Sequence, residues 1–526
     1  MKPDGVTLDR PGGRISPAAR GAIVGVTAGA VTIGVAELVA GLMRRIGVAG
    51  GTPSPIDAVG GAFIDLTPPW LKDWAIGVFG VHDKTALYVS MTLVLVLLSI
   101  AVGVIASRVV RAGVIVFALL VVVAVTAVWS RPHASLIDLV PIVLGGLIGL
   151  RLIATRTRDA GVRDAESMTD AHVSRRVLIG SGIGAVVLGA AAVAVGRVVA
   201  GGARVAAVAR ETFVVPKVAS PVAVPAGADL GISGVTPFIV PNAEFYRIDT
   251  ALVVPQVDPA NWSLRVTGMV EREVTLDWNT LLAKPMQEAM VTLMCVSNEV
   301  GGSLNGNAIW TGWPVRELLR EAGVRPGADM VLSTSIDGFT AGTPLAALTD
   351  ERNSLLVVAQ NGQPLLPEHG FPVRLVVPGL YGYVSATKWV TELKVTTFDA
   401  DQGYWTPRGW SALGPVKTQS RIDVPRDSAS VSAGTVAVAG VAWAQHRGVT
   451  GVQVQVDSGP WQDARLGVDA SVDVWRQWVY EWPATPGTHT LTVRAIDATG
   501  EPETATFAPP APDGASGHHT ISVTVA

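Results

Sequence analysis

Five long apolar runs in the first two hundred residues constrain the fold of this chain more than any other feature. A helix needs about 20 residues to cross a hydrocarbon layer of roughly 30 Å, and each run is close to that length. We therefore expect five membrane-spanning helices, near residues 21–42, 86–107, 112–130, 135–153 and 178–200. The segment 56–80 is broken by two prolines and dotted with charge, so we interpret it as an excursion along the membrane surface.

Lysine and arginine collect on one side of the predicted spans, which indicates how the chain is oriented. They are dense in the N-terminal tail, in the link after the second span and in the link after the fourth. If these segments face the cytoplasm, an odd number of spans places everything after residue 205 on the other side. Before the fifth span, Ser174, Arg175 and Arg176 resemble a twin-arginine export signal. An ordinary basic flank would contain the same residues, so that alternative stays open.

Polar residues within the apolar part decide whether it does more than anchor the chain. None of the eight histidines falls inside a predicted span, so a haem held by two histidines between these helices is not expected. Glu37 and Asp138 lie in or near spans, where a carboxylate is a candidate for a proton or ion pathway. We expect an anchor, and a transporter with an exterior domain is an alternative that rests on these two carboxylates.

The remaining chain has the composition of folded globular domains, and the net charge of -3 for the whole sequence does not suggest a nucleic-acid partner. Residues 206–237, rich in Pro, Gly, Ala and Val, are predicted to be a semi-extended linker. Residues 238–415 mix apolar strands with helical pieces and predict an α+β domain. Residues 416–526 alternate apolar and polar positions between turns and predict an immunoglobulin-like β-sandwich. With a helical membrane bundle at residues 1–205, the predicted fold is multi-domain.

Cys295 is the one cysteine in 526 residues. It excludes an internal disulfide, the two-cysteine attachment of a c-type haem, and any zinc or iron–sulfur site built on several cysteines. It follows the apolar strand predicted by "AMVTLMC" and enters a Ser/Asn/Gly turn, where functional residues are often found. A lone cysteine is more often an inert buried residue, so its surroundings must decide its role.

Several motifs, in order, resemble the sulfite oxidase family of molybdopterin enzymes over roughly residues 238–520. The segment that begins "EFYRIDTALVV" resembles the opening of the family's pterin-binding domain, and "LMCVSNEVGG" resembles its metal-binding cysteine turn. "NAIWTGWPV" and "NGQPLLPEHGFPVRLVVPGLYGYVSATKWV" follow in the family's order, and the second of these is the most specific. The later segment "GVAWAQHRGVTGVQVQVDSG" resembles its immunoglobulin-like dimerisation domain.

The resemblance implies Mo-molybdopterin as the cofactor, with Cys295 as its metal ligand, because a soft thiolate suits such a metal. It implies catalytic roles for Cys295, Arg247 and Trp410. The residues that motif matching assigns to cofactor binding are Asn242, Phe245, Tyr246, Arg247, Asp249, Cys295, Asp337, His369, Arg374, Ala386, Thr387 and Lys388.

Two positions depart from the pattern of a sulfite oxidase. Val300 stands where the family has an arginine five residues after the metal cysteine, and Trp410 stands where it has a tyrosine. Both changes remove charge or hydrogen bonds that an oxyanion in a desolvated pocket needs. We therefore expect oxygen-atom transfer to or from a small molecule other than sulfite. A sulfoxide or N-oxide reductase of the same family is an alternative.

The resemblance also implies partners and a location. Because the sequence offers no haem site, we expect a separate electron-transfer partner, such as a cytochrome or a quinone-linked protein. A homodimer through the sandwich domain is a further expectation. We expect a multi-pass cell-membrane protein whose catalytic domain is extracytoplasmic. The rival from another class is a cofactor-free surface binding protein that has kept the scaffold.

Overall fold

The computed structural model describes residues 16–526 apart from a set of short gaps. These are residues 47, 50, 69–70, 72–73, 75–77, 80–82, 132–133, 167–170 and 200–201. The chain divides into two compact units, Met1–Arg204 and Val205–Ala526. The first unit is helical and the second is rich in β-strands.

The helical unit is a bundle in which one helix contacts three others. Its helices are α1 Pro17–Arg45, α2 Pro55–Leu66, α3 Asp83–Arg108, α4 Val110–Trp129, α5 Val140–Glu166 and α6 Ala171–Val199. α1 packs against α3, α5 and α6. Glycines bring the backbones close: a Cβ on Gly25 would overlap the backbone of Gly103, and one on Gly34 that of Gly189. Small residues at helix contacts are typical of packing within membranes.

Four of the five predicted spans are confirmed as helices long and apolar enough to cross a membrane. They are Pro17–Arg45, Lys84–Arg108, Val110–Trp129 and Leu136–Thr155. The fifth predicted span lies in α6, whose described apolar stretch is the shorter Gly182–Arg197, so a fifth crossing stays a prediction. Arg175 and Arg176 also lie in α6, but their side chains are outside the described part. The predicted excursion 56–80 contains α2, and much of its second half is outside the described residues.

Both carboxylates that sequence patterns single out in the helical unit are satisfied within it. Glu37 is 4% exposed and accepts hydrogen bonds from Ser54 Oγ (2.7 Å) and the Ile56 N–H (3.2 Å). Asp138 is fully buried and accepts from the Gly51 N–H (3.0 Å). Both therefore hold the loop before α2 against the bundle, which favours the anchor over the transporter.

The second unit begins with an α+β region, as predicted. Its strands are β1 Ser263–Gly268, β2 Val274–Asp277, β3 Gln287–Met294, β4 Asn305–Pro314, β5 Met330–Ser335, β6 Thr340–Pro344, β7 Leu355–Gln360, β8 Gln363–Pro364, β9 Arg374–Val376 and β10 Val390–Thr396. Its helices are α7 Gly202–Thr212, α8 Trp278–Leu282, α9 Val315–Ala322 and α10 Leu345–Thr349. One sheet has the order β2-β1-β10-β5-β6, and the other has β3-β4-β7-β8 with β9 beside β7.

β4 is a long strand that alternation of apolar and polar residues does not predict, because it contains glycines and ends in proline. It nevertheless pairs with β3 on one side and β7 on the other. Trp310 and Trp313 belong to two different hydrophobic cores of the unit. Burial of these two large side chains, about 150–250 Å² each, outweighs the weak strand propensity of the segment.

The C-terminal region is a two-sheet β-sandwich. Its strands are β11 Gln419–Val424, β12 Ala429–Val431, β13 Gly434–Trp443, β14 Val449–Val456, β15 Gln462–Asp463, β16 Arg465–Leu466, β17 Arg476–Ala484, β18 Gly487–Asp497 and β19 His519–Val525. The sheet orders are β11-β13-β17-β16 and β12-β19-β18-β14-β15. Both sheets contribute to one core, which includes Val438, Trp478, Leu491 and Val523. The region is rich in β-strands, as expected, and its classification as an immunoglobulin-like sandwich stays a prediction.

The two predicted domains of this unit share a hydrophobic core across the expected boundary at residue 416. The Trp475 N–H donates to Thr292 Oγ1 (2.9 Å), and its indole N–H donates to the Phe238 carbonyl (3.0 Å). Trp443 of the sandwich packs in the same core as Trp310. The sandwich therefore supports the α+β region of its own chain, whatever further contacts it makes.

Residues 206–237, predicted to be a semi-extended linker, are partly helical and partly bound to the surface of the second unit. α7 occupies its first residues, and the later part is tied to the surface of the second unit. The Val222 N–H donates to Glu288 Oε2 (2.9 Å), and the Leu230 N–H donates to Gln477 Oε1 (2.6 Å). Proline and glycine prevent regular structure here, but not packing, which composition alone cannot reveal.

Candidate functional site

Strand β3 delivers Cys295 to a tight turn on the core side of its sheet. The Cys295 N–H donates to the Leu304 carbonyl (3.0 Å), and its own carbonyl accepts from the Asn298 N–H (3.1 Å). Asn298 Oδ1 accepts from the Leu304 N–H (2.7 Å), which closes the turn. The thiol is free and 8% exposed, and burial raises its pKa. Binding a metal would reverse this preference, because metal coordination deprotonates a thiol.

Arg374 on β9 is a buried cation close to Tyr246, whose pKa also responds to Cys295. Its Nη1 donates to the His369 carbonyl (3.1 Å) and its Nη2 to the Ala386 carbonyl (3.5 Å), while its guanidinium lies 5.2 Å from the ring centre of Trp310. Burial lowers its pKa to about 10. Within the described part of the chain it has no carboxylate partner. A buried charge of this kind is costly unless an anion arrives to pair with it.

Lys388 and Arg247 approach the same region and share one carboxylate. Lys388 Nζ lies 2.8 Å from Asp249 Oδ2 and donates to the Glu368 carbonyl (2.8 Å). Arg247 Nε lies 2.8 Å from the same Asp249 oxygen. Burial lowers the pKa of Lys388 to about 8, and the Asp249 carboxylate opposes that shift. With Arg374, these side chains form a cluster in which positive charge exceeds negative.

Aromatic rings fill the space between the cations and β4. The ring of Phe245 stacks against Tyr246 (centroids 5.3 Å apart) and meets Trp310 (5.4 Å) and His369 (5.6 Å) edge to face. Gly306 on β4 makes room for it, because a Cβ there would approach the Phe245 ring at 2.8 Å. Burial, helped by neighbouring cations, lowers the pKa of His369 to about 3, so its imidazole is neutral. Burial and the nearby Cys295 raise the pKa of Tyr246.

Other residues assigned to the cofactor have side chains that bond to the protein itself. Asn242 Nδ2 donates to the Gln360 carbonyl (3.0 Å). Thr387 Oγ1 bonds to Ser333 Oγ (2.7 Å) and is fully buried. Asp337 Oδ1 accepts from the Phe339 N–H (3.3 Å). Asn242 and Thr387 therefore support the site through backbone geometry, which motif matching cannot separate from direct contact.

Trp410 belongs to a chain of aromatic rings on the partly exposed margin of the same core. Its ring centre lies 6.0 Å from Tyr383 and 6.3 Å from Trp405. The chain continues through Tyr404 (5.1 Å from Trp405) to Phe339 (5.9 Å from Tyr404). Phe339 follows the turn that contains Asp337, so the rings connect two segments that the sequence assigns to the site.

Motif matching does not assign a conspicuous buried polar residue of β7, the strand that pairs with β4. Gln360 at the end of β7 is 1% exposed, and its Nε2 and Oε1 have no hydrogen-bond partner in the part of the chain that the structure describes. The available signal was a glutamine that ends the otherwise apolar run "LLVVAQ". Such a residue is easily taken for the edge of a strand.

Comparison with known proteins identifies what this arrangement belongs to. The domain family described as the oxidoreductase molybdopterin binding domain matches residues 251–405. The chain is 35% identical over 157 residues to the uncharacterized oxidoreductase YuiH of Bacillus subtilis, which covers 30% of this chain and 76% of that protein. It is 30% identical over 321 residues to mitochondrial sulfite oxidase of Mus musculus. The chain belongs to the sulfite oxidase family of molybdopterin-dependent oxidoreductases.

This sulfite oxidase family member is thus a molybdenum-dependent oxidoreductase with Mo-molybdopterin as its cofactor. The match to the mouse enzyme covers 52% of this chain and 58% of that enzyme, less than two thirds of its length. Among solved structures, the sulfane dehydrogenase SoxCD of Paracoccus pantotrophus aligns with 60% of this chain and 89% of its own, at 21% identity and a TM-score of 0.48. The family assignment favours an enzyme over a cofactor-free binding protein.

The residues of the cluster fit the cofactor of the family. A buried thiol suits molybdenum, and a buried guanidinium without a carboxylate suits a phosphate. Gln360 adds a buried amide with both polar atoms unpaired. The domain match begins at residue 251, so Asn242, Phe245, Tyr246, Arg247 and Asp249 lie before it and Trp410 lies after it. These residues are assigned to the site by their positions in the structure and not by the domain match.

Proposed function

We propose that this protein is a membrane-anchored, extracytoplasmic molybdopterin oxidoreductase. It transfers an oxygen atom to or from a small substrate and is not a true sulfite oxidase. The observation that carries the proposal is the free, buried thiol of Cys295, held in its turn by Leu304 and Asn298. Tyr246 is close enough to both Cys295 and the buried cation Arg374 for each to affect its pKa. When bound, the cofactor supplies the oxygen-atom and electron transfer, while the protein supplies position and electrostatics.

Each side chain of the cluster has a role that its surroundings support. Cys295 holds the metal through its sulfur. Arg374, Lys388 and Arg247 face the anionic part of the cofactor, and Arg374 contributes most because it has no carboxylate to neutralise it. Neutral His369 packs edge to face against Phe245 and limits the access of water. The cluster is therefore arranged to bind an anion that carries a soft metal.

The substrate is expected to differ from sulfite because Val300 and Trp410 are apolar at two positions where a sulfite oxidase has an arginine and a tyrosine. Val300 is half-buried and provides no hydrogen bond or positive charge to an anion. Trp410 adds an apolar surface that continues through Trp405 and Tyr383. An oxyanion in such surroundings would leave its oxygen atoms unpaired, at a cost of about 1–3 kcal/mol for each hydrogen bond lost. A less charged substrate avoids that cost.

A reductase of sulfoxides or N-oxides is the second candidate. The chain of partly exposed aromatic rings favours it, because aromatic surfaces bind apolar groups attached to such a polar centre. Steady-state assays with reduced dyes and oxidised dyes distinguish the two directions. Turnover of a sulfoxide or N-oxide with a reduced dye, and none of sulfite with an oxidised dye, would establish the reductase.

Membrane attachment rests on the four apolar helices and on their outward-facing side chains. Leu93, Leu119, Val123 and Leu147 are each more than half exposed, which suits contact with lipid. With the fifth crossing predicted from sequence, the arginine-rich links remain in the cytoplasm and the catalytic region is extracytoplasmic. Export through the twin-arginine pathway would deliver that region with its cofactor already inserted. Electrons then pass to or from a separate cytochrome or quinone-linked protein, and a homodimer is a further proposal.

The test is a Cys295→Ser variant prepared beside the parent in a host that makes molybdopterin. We expect the variant to lose at least about a hundredfold in dye-coupled turnover and most of its molybdenum, because an alcohol is a poor ligand for a soft metal. Its unfolding temperature should change little, since serine fits the same turn. Parental turnover in the serine variant would refute the role of Cys295. A parent purified without molybdenum or pterin would refute the whole proposal.

A further inference from the structure

Gln360 carries a buried amide that has no part in the proposed roles of Cys295, His369 and the three cations. It is 1% exposed, and neither its Nε2 nor its Oε1 is paired within the described residues. An unpaired buried polar group costs about 1–3 kcal/mol, and an amide left this way carries two such groups. An apolar side chain of similar size would fill the same space without that cost. The native state therefore needs a partner that the described polypeptide does not supply.

The sheet register places Gln360 on the face that carries the cofactor cluster. Gln360 lies directly opposite Trp310 in the ladder between β7 and β4, and residues directly opposite each other in an antiparallel pair point to the same face. The indole of Trp310 contacts Phe245 and lies under the guanidinium of Arg374. Gln360 therefore shares one face with the aromatic ring and the buried cation that form the site.

The neighbouring strand leads to the same placement. β9 pairs with β7 so that Arg374 lies opposite Val357. Val357 belongs to the core that includes Trp310, although it lies three positions from Gln360, an odd spacing that normally places two residues of a strand on opposite faces. The register shift opposite Thr311 and Gly312 accounts for this spacing, because Val358 of β7 is an extra residue in the pairing.

The backbone of Gln360 is fixed, so its side chain cannot easily turn towards solvent. Its carbonyl accepts from Asn242 Nδ2 (3.0 Å), and it pairs with Gln363 in the turn that joins β7 to β8. Asn361 holds the other side of this turn, with its Nδ2 donating to Asn242 Oδ1 (2.8 Å). Asn242 thus contributes to the site by holding the residue that carries the amide.

We infer that the Gln360 amide binds the neutral, hydrogen-bonding edge of the pterin ring. A primary amide presents a donor and an acceptor side by side, which matches a lactam or aminopyrimidine edge. The cations of the cluster suit the phosphate instead, and the sulfur of Cys295 suits the metal. This inference rests on the proposed cofactor site and adds to it a binding residue, not a catalytic one.

The experiment compares Gln360→Met with a matched control, Gln477→Met, in full-length protein loaded with cofactor. Gln477 is equally buried, but its amide is paired: Nε2 donates to the Thr236 carbonyl (2.8 Å) and Oε1 accepts from the Leu230 N–H (2.6 Å). The measurements are pterin per protein, by fluorescence of the released pterin, and the rate of pterin release on warming. We expect Gln360→Met to release pterin about tenfold faster than the parent, since one lost hydrogen bond corresponds to roughly that factor. Gln477→Met should release it at the parental rate.

A second measurement on cofactor-free full-length protein separates binding from folding. Without the pterin, Gln360→Met should unfold at the same temperature as the parent or higher, because methionine removes an unpaired amide, whereas Gln477→Met should unfold at a lower temperature. Parental pterin release by Gln360→Met, or a cofactor-free variant destabilised like the control, would overturn the inference and indicate an amide paired with water. A parent that holds no pterin would instead overturn the proposed function itself.

Discussion

The buried polar groups of the helical unit and those around Cys295 differ in what satisfies them. Glu37 and Asp138 accept hydrogen bonds from backbone or hydroxyl groups of their own unit. Arg374 has only carbonyl acceptors in the described chain, and Gln360 has no partner there. The two carboxylates of the helical unit are therefore satisfied by their own polypeptide, whereas the amide of Gln360 has no partner among the described residues. An unpaired buried group becomes a candidate for a ligand contact where the strand register also places it beside the proposed site, as it does for Gln360.

The largest expected effect comes from replacing the guanidinium of Arg374 by an apolar chain. Arg374→Met should reduce bound molybdenum at least about tenfold, because a charge-assisted hydrogen bond to an anion contributes roughly 1.5–3 kcal/mol. In cofactor-free protein its free energy of unfolding should stay level or rise, since the guanidinium there lacks an anion. Metal analysis and denaturant unfolding followed by tryptophan fluorescence check both parts.

Arg421 is the matched control for that prediction, because it is equally buried but fully paired. It bonds to Asp423 (2.6 Å), to Asn305 Oδ1 (3.0 Å) and to Thr236 Oγ1 (2.9 Å). Arg421→Met should lower the free energy of unfolding by about 3–5 kcal/mol, because it leaves a buried carboxylate unpaired. If both variants destabilise the cofactor-free protein equally, Arg374 is a structural residue and the contrast between satisfied and open groups fails.

The next prediction concerns the pH dependence of stability, which we expect to depend on a buried carboxylate with one unpaired oxygen in the C-terminal region. Glu503 of the sandwich accepts from Ser420 Oγ (2.6 Å) and the Ala495 N–H (2.9 Å) through one oxygen, and its other oxygen is unpaired. Burial raises its pKa to about 8 from 4.5. Between these values the folded state keeps a proton that the unfolded state has released. Stability should therefore fall as pH rises through this window, by up to about 1.4 kcal/mol per pH unit, and level off above it.

Unfolding temperatures measured from pH 5.5 to 8.5 check this linkage. Glu503→Gln does not titrate, so its curve should be flatter than that of the parent. Asp497→Asn is the control: hydrogen bonds to Thr499, Thr418 and Arg447 outweigh the opposing effect of burial and hold the pKa of Asp497 at about 2, outside the window. An equally steep curve for Glu503→Gln would mean that other groups carry the pH dependence.

The smallest effect concerns the helical unit, where the groups are satisfied. Glu37→Leu should lower the free energy of unfolding by about 1–3 kcal/mol, because it leaves Ser54 Oγ and the Ile56 N–H without an acceptor. Glu37→Gln keeps an acceptor oxygen and should remain near the parent. Dye-coupled turnover of both detergent-purified variants should stay within about twofold of the parent. A Gln variant that retains its molybdenum but loses turnover would indicate a proton pathway through the bundle.

Motif matching assigned several residues that the structure brings together, because the motifs occur in a fixed order along the chain. Phe245, His369 and Arg374, assigned from separate motifs, lie in one cluster. Motif matching could not distinguish residues that bind a cofactor from residues that hold the backbone in place. The side chains of Asn242 and Thr387 are hydrogen-bonded to other parts of the protein. Gln360 was missed because its importance lies in an absence of partners, which only packing reveals.

The fold was predictable where one physical pattern dominates. Apolar runs of membrane-spanning length predicted four helices correctly, and alternation of apolar and polar residues predicted the β-rich regions. β4 escaped because burial of Trp310 and Trp313 in two cores outweighs its weak strand propensity. The composition of 206–237 predicted an extended segment but not its contacts with Glu288 and Gln477, because composition carries no information on tertiary packing.

The sequence by itself determined the class of this protein: apolar helices long enough for a membrane, a single cysteine, and an ordered set of motifs. It could do so because hydrophobic length, thiol chemistry and motif order are properties of the chain read in one dimension. Only the tertiary structure decided which buried groups have partners among the described residues and which do not, and that the C-terminal and α+β regions share a core. Hydrogen-bond satisfaction depends on residues far apart in the chain, such as Trp310, Gln360 and Arg374, and emerges only when strand pairing brings them to one face.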